Sequence, residues 1–352
     1  SAAWGEHHFG HAYAAFFGSG FESAAAVIVD GCGSRQSVPI NPWMGSGAVG
    51  DERSIEVFET ETIFKCEGIE VEPVFKRYAS NDAPNLLSPQ AEIDSSITTV
   101  KAYEAVSEYL GFTYIEAGKT MGLAPYGRKC KDIPDLFYKD TKRGDKNVFI
   151  PQYPAGAQID QNRFEYLRQK EDPREWHRDP SKLPDAAKNL AWKVQKETQE
   201  YVGDLIEKAV DMTGEKNIVI SGGYGLNVIA NYYYKERFPE LNIYVDPVSH
   251  DGGTSIGLAK MYAHKHIGED GGEHPRDPLT TLYLGPKYDI RSEDIDDLVE
   301  DNMEIIDATD VDVAQLIKDR NIVSIFQGRA EAGPRALGNR SILYDPTDPN
   351  GK

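Results

Sequence analysis

Cysteine is scarce. The 352-residue chain holds three, Cys32, Cys66 and Cys130, which form neither a CxxC pair nor a disulfide framework. That sparing use fits a reducing, cytoplasmic compartment. No run of 18 or more apolar residues is present, so no membrane-spanning helix is expected. No secretory leader opens the chain, which starts at Ser1 directly on a motif, and we expect a further segment upstream. Basic residues are outnumbered, 38 Lys and Arg against 57 Asp and Glu, for a formal charge of -19. An acidic surface repels polyanions, which argues against broad duplex nucleic-acid binding and favours a small-molecule or free-nucleotide partner. The phosphate-loop pattern GxxxxGK[ST] is missing as well.

What is present reads as a soluble α/β protein, 40% hydrophobic and 27% charged. Ala24 to Asp30 is an apolar strand closed by an Asp-Gly turn, and Ser54 to Phe64 is a second strand rich in β-branched and aromatic residues. Asp94 to Leu110 has helical periodicity. Residues 128–184, punctuated by six prolines, read as a polar surface insertion with little regular core. Asp185 to Met212 is the longest expected helix, stopped by Gly214. A strand–glycine turn–helix unit then occurs twice. The first is Asn217–Ile220, Ser221-Gly222-Gly223 and a helix to Arg237. The second is Asn242–Val245, Asp251-Gly252-Gly253 and the helix Thr254–Lys265. We therefore expect a first domain over 1–265, a linker at 266–278, and a second α/β unit over 279–352. That second unit has helices near 292–300 and 310–319 and a strand at Ile322–Phe326, and it is too short to be a finished domain.

Four segments carry chemistry. In His7-His8-Phe9-Gly10-His11, His7 and His11 lie four apart, hence on one helix face, where both imidazoles reach a single metal ion; His8 points elsewhere. A helix with polar histidines is the plainer reading. Asp251, in an open glycine turn beside His250, is a candidate third ligand, or simply a helix N-cap. The turn Ser221, Gly222, Gly223, Gly225 and Asn227 lets backbone approach a ligand, and the helix after it offers N–H groups to a phosphate. In the segment 116–127, Lys119 is suited to neutralising a phosphate and Glu116 to accepting from a hydroxyl. Arg329, Arg335 and Arg340 suit phosphate or carboxylate oxygens, with an internal Arg335–Glu331 pair as the alternative.

Taken in order, HHFGHA (7–12), VDGCG (29–33), KTMGLAPYG (119–127), SGGYGLNV (221–228), DGGTSIGLA (251–259) and GRAEAGPRALGNRSIL (328–343) resemble the nodulation and antibiotic O-carbamoyltransferase family. The first five also resemble the proteins that make threonylcarbamoyladenosine in tRNA. The resemblance implies an actin, sugar-kinase and Hsp70-like (ASKHA) core followed by the beginning of a YrdC-like domain, truncated at both ends. It implies that ATP and carbamoyl phosphate give carbamoyl-adenylate, whose carbamoyl group passes to a hydroxyl of a sugar, an antibiotic or a hydroxymethylated nucleotide. It places a divalent metal, Fe2+ in type, on His7, His11 and Asp251, with Mg2+ accompanying ATP. It places nucleotide contacts at Ser221 to Asn227, Glu116, Lys119 and Gly122, and sets Arg335 and Arg340 at the start of the adenylating domain. Glu116 and His8 are the candidates for the base that assists the attacking hydroxyl. The remaining domain segments would act in cis or in trans. A sugar-kinase-like phosphotransferase and a non-catalytic nucleotide-binding subunit are the alternatives.

Overall fold

The computed structural model describes residues 7–40, 53–81, 86–87, 90–94, 98–136, 149–160, 183–269, 278–288, 295 and 299–348. In chain order the first unit holds α1 (His7–Ser19), β1 (Ser23–Val29), β2 (Arg35–Ile40), β3 (Arg53–Glu67), β4 (Glu70–Ala79), β5 (Leu86–Leu87), β6 (Ala91–Asp94), α2 (Thr99–Tyr109) and α3 (Ala117–Leu123). It continues with β7 (Phe149–Gln152), β8 (Gly156–Ile159), α4 (Asp185–Thr213), β9 (Asn217–Ser221), α5 (Val228–Arg237), β10 (Asn242–Val245) and α6 (Thr254–Glu269). The chain divides into two compact units, Ser1–Leu279 and Thr280–Lys352.

Among the described residues one sheet runs β10-β9-β1-β3-β4-β6-β5, with β2 paired to β3. The strands β10, β9 and β1 are parallel, and β1–β3 and β3–β4 are antiparallel. β1 is apolar from Ala24 to Val29 because both its faces are covered. Ala24, Ala26 and Ile28 pack with Ala12, Phe16 and Phe17 of α1, while Ala25, Val27 and Val29 join the main core with α2 and α4. α4 contributes Leu190, Val194, Val202, Ile206 and Ala209 at helical spacing, all fully buried, and ends on Gly214 at φ 72°. The parallel register leaves Asp30, Ser221 and Asp246 together at the carboxyl ends of β1, β9 and β10, the edge where open α/β sheets hold ligands.

Several expectations are corrected. The stretch 128–184 is not merely a surface insertion. Ile133, Leu136, Phe149, Ala157 and Ile159 are buried in the main core, and the β7–β8 hairpin brings three of them there. Of its prolines, Pro151 lies in β7, Pro154 in the turn after it and Pro184 just before α4, and none of these prevents packing; residues 137–148 and 161–182 lie outside the described residues. Asp94 ends a strand and does not begin α2. Met212 is exposed, off the buried stripe of α4. α6 runs to Glu269, into the expected linker, of which 270–277 lie outside the described residues. No described helix is long and apolar enough to cross a membrane.

A buried ion network stiffens the sheet beside β1. Glu61, 1% exposed, accepts from Arg77 at 3.1 Å and from Thr99 at 3.0 Å, and Arg77 also reaches Glu92 at 2.7 Å. Arg77→Ala should leave Glu61 without its cation in a buried position and destabilise the fold by about 3–5 kcal/mol. Chemical denaturation of the two proteins measures this, and a loss under about 1 kcal/mol would contradict it.

The second unit has α7 (Asp310–Lys318), capped by Thr309 in a reciprocal pair with Asp312, and the antiparallel pair β11 (Val323–Phe326) and β12 (Arg340–Leu343). The helix expected near 292–300 falls mostly outside the described residues.

Candidate metal centre

The amino terminus of α1 is tied to the β1–β2 loop, since the His7 backbone N–H donates to Ser34 Oγ at 3.2 Å. His7 and His11 sit one turn apart and bring their Nε2 atoms to 3.2 Å. His7 Nε2 lies 3.0 Å from Asp30 Oδ2. Asp251, in the single 3-10 turn before α6, places Oδ1 3.6 Å from His7 Nε2 and 3.7 Å from His11 Nε2. One donor atom from each of His7, His11, Asp30 and Asp251 lies within 4.8 Å of every other. The structure thus brings together the three metal ligands expected from sequence and adds Asp30.

Asp30 has two jobs. Its Oδ2 faces His7, and its Oδ1 accepts from the Gly223 N–H at 3.0 Å, joining the cluster to the glycine turn. The sequence signal was the Asp ending an apolar strand in VDGCG, which reads equally well as an ordinary turn.

The electrostatics are those of a cation site. Burial opposes protonation of His7, but Asp251 and Asp30 outweigh it and push its pKa up to about 10. Hydrogen bonding to His11 and His7 holds Asp251 well below the usual carboxylate range. Burial pushes Asp30 up, yet the His7 hydrogen bond and the neighbouring imidazoles prevail and hold it low. Two carboxylates and two neutral imidazoles carry a charge of -2, which a divalent ion balances. Donors about 2.0–2.2 Å from an ion stand roughly 3–4.4 Å from one another. The pairs at 3.0, 3.2, 3.6 and 3.7 Å meet that requirement, so the residues fit such an ion. His11 is fully buried whereas the Asp251 side chain is 72% exposed, so the cluster opens on one side only.

The other expected residues divide. His8 does point away from the pair. It is fully buried, its Nδ1 lies 2.7 Å from Thr62 Oγ1, and burial, opposed by Asp30, pushes its pKa down to about 3. A Cβ on Gly33 would sit 2.8 Å from His8 Nε2, so the loop at Gly33 packs directly against the ring. Glu116 pairs with Lys119 and accepts from Thr113, neither of them part of the cluster. That pair is exposed, and Gly122 has open space where a Cβ would stand. The glycine turn is used differently than expected. Gly223, Gly225 and Asn227 donate their backbone N–H groups to Asp30, Gly222 and Tyr224, leaving those three unavailable to a phosphate. Gly222 is required by its φ of 90° and by the Val29 carbonyl oxygen, which any Cβ there would strike. The Asn227 side chain caps α5 through the Ala230 N–H and exchanges two hydrogen bonds with Gln195, so it faces the core. Ser221 Oγ lies 3.2 Å from His11 Nδ1. In the second unit Arg340 donates to the Gln327 and Asn339 carbonyls and covers the Phe326 ring. The carboxylate of Glu331 accepts from the backbone N–H groups of Leu337, Asn339 and Arg340.

Residues 2–260 match the family model for the carbamoyltransferase N-terminus and residues 314–352 that for the carbamoyltransferase C-terminus; the chain belongs to the carbamoyltransferase family. It is similar to the uncharacterized protein sll1178 of Synechocystis sp. (28% identity, 97% of this chain, 50% of that protein). It is also similar to nodulation protein NolNO of Sinorhizobium fredii (27%, 97% and 43%) and to the uncharacterized protein MJ1058 of Methanocaldococcus jannaschii (32%, 70% and 39%). The chain therefore spans half or less of the length of these relatives. Among solved structures, full-length HypF in its phosphate- and nucleotide-bound form aligns at 13% identity over 76% of this chain and 43% of its own, with a TM-score of 0.39. HypF of T. kodakarensis aligns at 11% over 75% and 36%, with a TM-score of 0.36. Likenesses this loose place no residue.

Proposed function

We propose that this chain is the transfer core of an ATP-dependent O-carbamoyltransferase, which passes a carbamoyl group from carbamoyl-adenylate to a hydroxyl of a small acceptor. The observation that carries this reading is the convergence of His7, His11, Asp30 and Asp251, drawn from three distant segments, within a family of carbamoyltransferases. These four would hold a divalent ion, and their imidazole and carboxylate chemistry suits Fe2+, the metal the resemblance implies. Bound there, such an ion supplies Lewis acidity that polarises a carbamoyl or phosphate oxygen.

The chain's own residues supply the rest. Asp30 links the cluster to the Ser221–Asn227 turn, so donor set and turn move as one body. Gly222 and Gly223, without side chains, let that turn close onto Val29 and Asp30 beside the donor set. The exposed side at Asp251 admits an acceptor, while the buried His11 side excludes water. We keep the adenylate over the Ser221–Asn227 turn and the Glu116–Lys119–Gly122 segment, as the resemblance implies, and treat the core as ASKHA-like on the pattern of three parallel strands beside an antiparallel pair. The second unit, with Arg335 and Arg340, is the beginning of the YrdC-like adenylating domain. A kinase reading leaves the four-residue cluster without work.

Anaerobic titration of the chain with Fe2+ or Co2+, followed by desalting and metal analysis, should retain about one ion per chain. A chain that retains none has no such centre. Transfer itself is tested in a parent protein carrying both halves, supplied with ATP and carbamoyl phosphate. AMP, pyrophosphate and a carbamoylated hydroxyl are the expected products, and ADP would point to the kinase.

A further inference from the structure

Behind His11 stands a third carboxylate, outside the four donors. Asp246 follows β10 and is 4% exposed. Its Oδ1 accepts from the Val248 N–H at 3.0 Å, and its Oδ2 accepts from the Ser221 hydroxyl at 3.0 Å. The Ser221 hydroxyl has one proton, and Asp246 takes it. Ser221 Oγ therefore has only lone pairs left for His11 Nδ1, 3.2 Å away. Both groups are out of solvent, Ser221 entirely, so no water competes for these bonds. The backbone holds them in register, because the Asp246 N–H donates to Ile220 O next to Ser221.

We infer that the Asp246–Ser221 relay is a positioning device that fixes the proton of His11 on Nδ1 and aims the Nε2 lone pair at the cation. The inference rests on the proposed centre and adds what selects its geometry. Imidazole ligands are commonly fixed this way, by a polar partner on the far nitrogen. The direction of the relay follows from the Asp246 carboxylate, which has no proton to give and can only accept.

Asp246→Asn tests that direction at constant shape. The substituted side-chain amide must keep its oxygen on the Val248 N–H, so its NH2 faces Ser221. Ser221 then accepts from that NH2 and turns its own proton toward His11 Nδ1, which moves the imidazole proton to Nε2, the wrong nitrogen. Co2+ affinity of the full chain, measured by chelator competition, should fall about 10- to 100-fold. Ser221→Ala, which deletes the acceptor with little change in volume, should fall by a similar factor and decides the matter if Asp246→Asn does not fold. Imidazole 1H–15N spectra of the metal-free wild type should show His11 protonated at Nδ1 and those of metal-free Asp246→Asn should lose that preference, a signature that a merely structural Asp246 would not set. Affinities of both variants within about twofold of wild type, or a His11 protonated at Nε2, overturn the relay. Wild-type protein that binds no ion overturns the centre instead, so the two failures are distinguishable.

Discussion

His11→Ala should strip the ion from the protein and abolish carbamoyl transfer, while pyrophosphate release by a parent protein carrying the adenylating half continues. His11 is fully buried and contributes one of four donors. Its loss leaves His7 as the sole imidazole and opens a buried gap beside Ser221 that a water cannot fill with the same basicity. Replacing a mere orienting neighbour costs about 10- to 100-fold in affinity, and removal of the ligand itself should exceed that. In the proposed scheme adenylation uses none of the four donors, so pyrophosphate is the internal control. Metal content by elemental analysis and product release by coupled assay read the two effects separately. Unchanged metal content in His11→Ala would remove the centre from this account. Asp30→Ala should fall with it, and should in addition loosen the glycine turn by freeing the Gly223 N–H.

The second large effect is expected far from any donor atom. α1 and α6 cross with almost no space between them. A Cβ on Gly257 would overlap the Gly10 carbonyl oxygen and stand 2.9 Å from Ala14 N. From the other side, a Cβ on Gly10 would meet Thr254 Cβ at 3.1 Å. Backbone cannot yield as a side-chain tip does, so Gly257→Ala must push the helices apart. Overpacking of this kind costs about 1–3 kcal/mol. The greater consequence is geometric. α1 carries His7 and His11, and the turn leading into α6 carries Asp251, so separating the helices widens the 3.6 and 3.7 Å spans. We expect Gly257→Ala to lower the melting temperature and to weaken Co2+ binding by about tenfold or more. Gly118→Ala in α3, where a Cβ meets nothing within 4 Å, is the control and should be neutral or stabilising by up to about 1 kcal/mol. Equal ion affinity in Gly257→Ala and wild type would show that the crossing does not govern the site.

How much of this could be read from the sequence depends on the range of the interaction. The His7–His11 pair was legible because helical periodicity is local, and so were the two strand–glycine turn–helix units. Asp251 was legible only as one of two readings, ligand or cap, since a single acidic residue in a polar turn serves both. Asp30 was in view but carried no signal beyond a strand end; its role depends on β1 lying beside β9, a pairing that sets Ala25 against Ile218. Asp246 was invisible for the same reason. The glycine turn was legible as a turn but its hydrogen bonds were not, because glycine spacing reports conformational freedom and not where the N–H groups go. Glu116 and Lys119 illustrate a third limit, since an acid and a base three apart on a helix satisfy each other before they meet any ligand. β4 was missed because Pro73 and its many charged residues hide a strand that pairs along β3.

The donor set has a bearing on biosynthesis. His11 and Ser221 meet across 210 positions, and Asp251 emerges from the ribosome later still. A nascent chain that stops short of Ser221 possesses two imidazoles and one carboxylate with nothing to hold them in place. Contacts of such long sequence separation form late and slowly. Ion capture would then come after the whole first unit has closed, acting as a clasp on a finished structure, and occupancy would report the fraction of molecules that matured correctly. At a free-ion level about one hundred times the dissociation constant, such a clasp would add about 2.7 kcal/mol to the native state, so withholding the ion should lower the folded fraction of the chain.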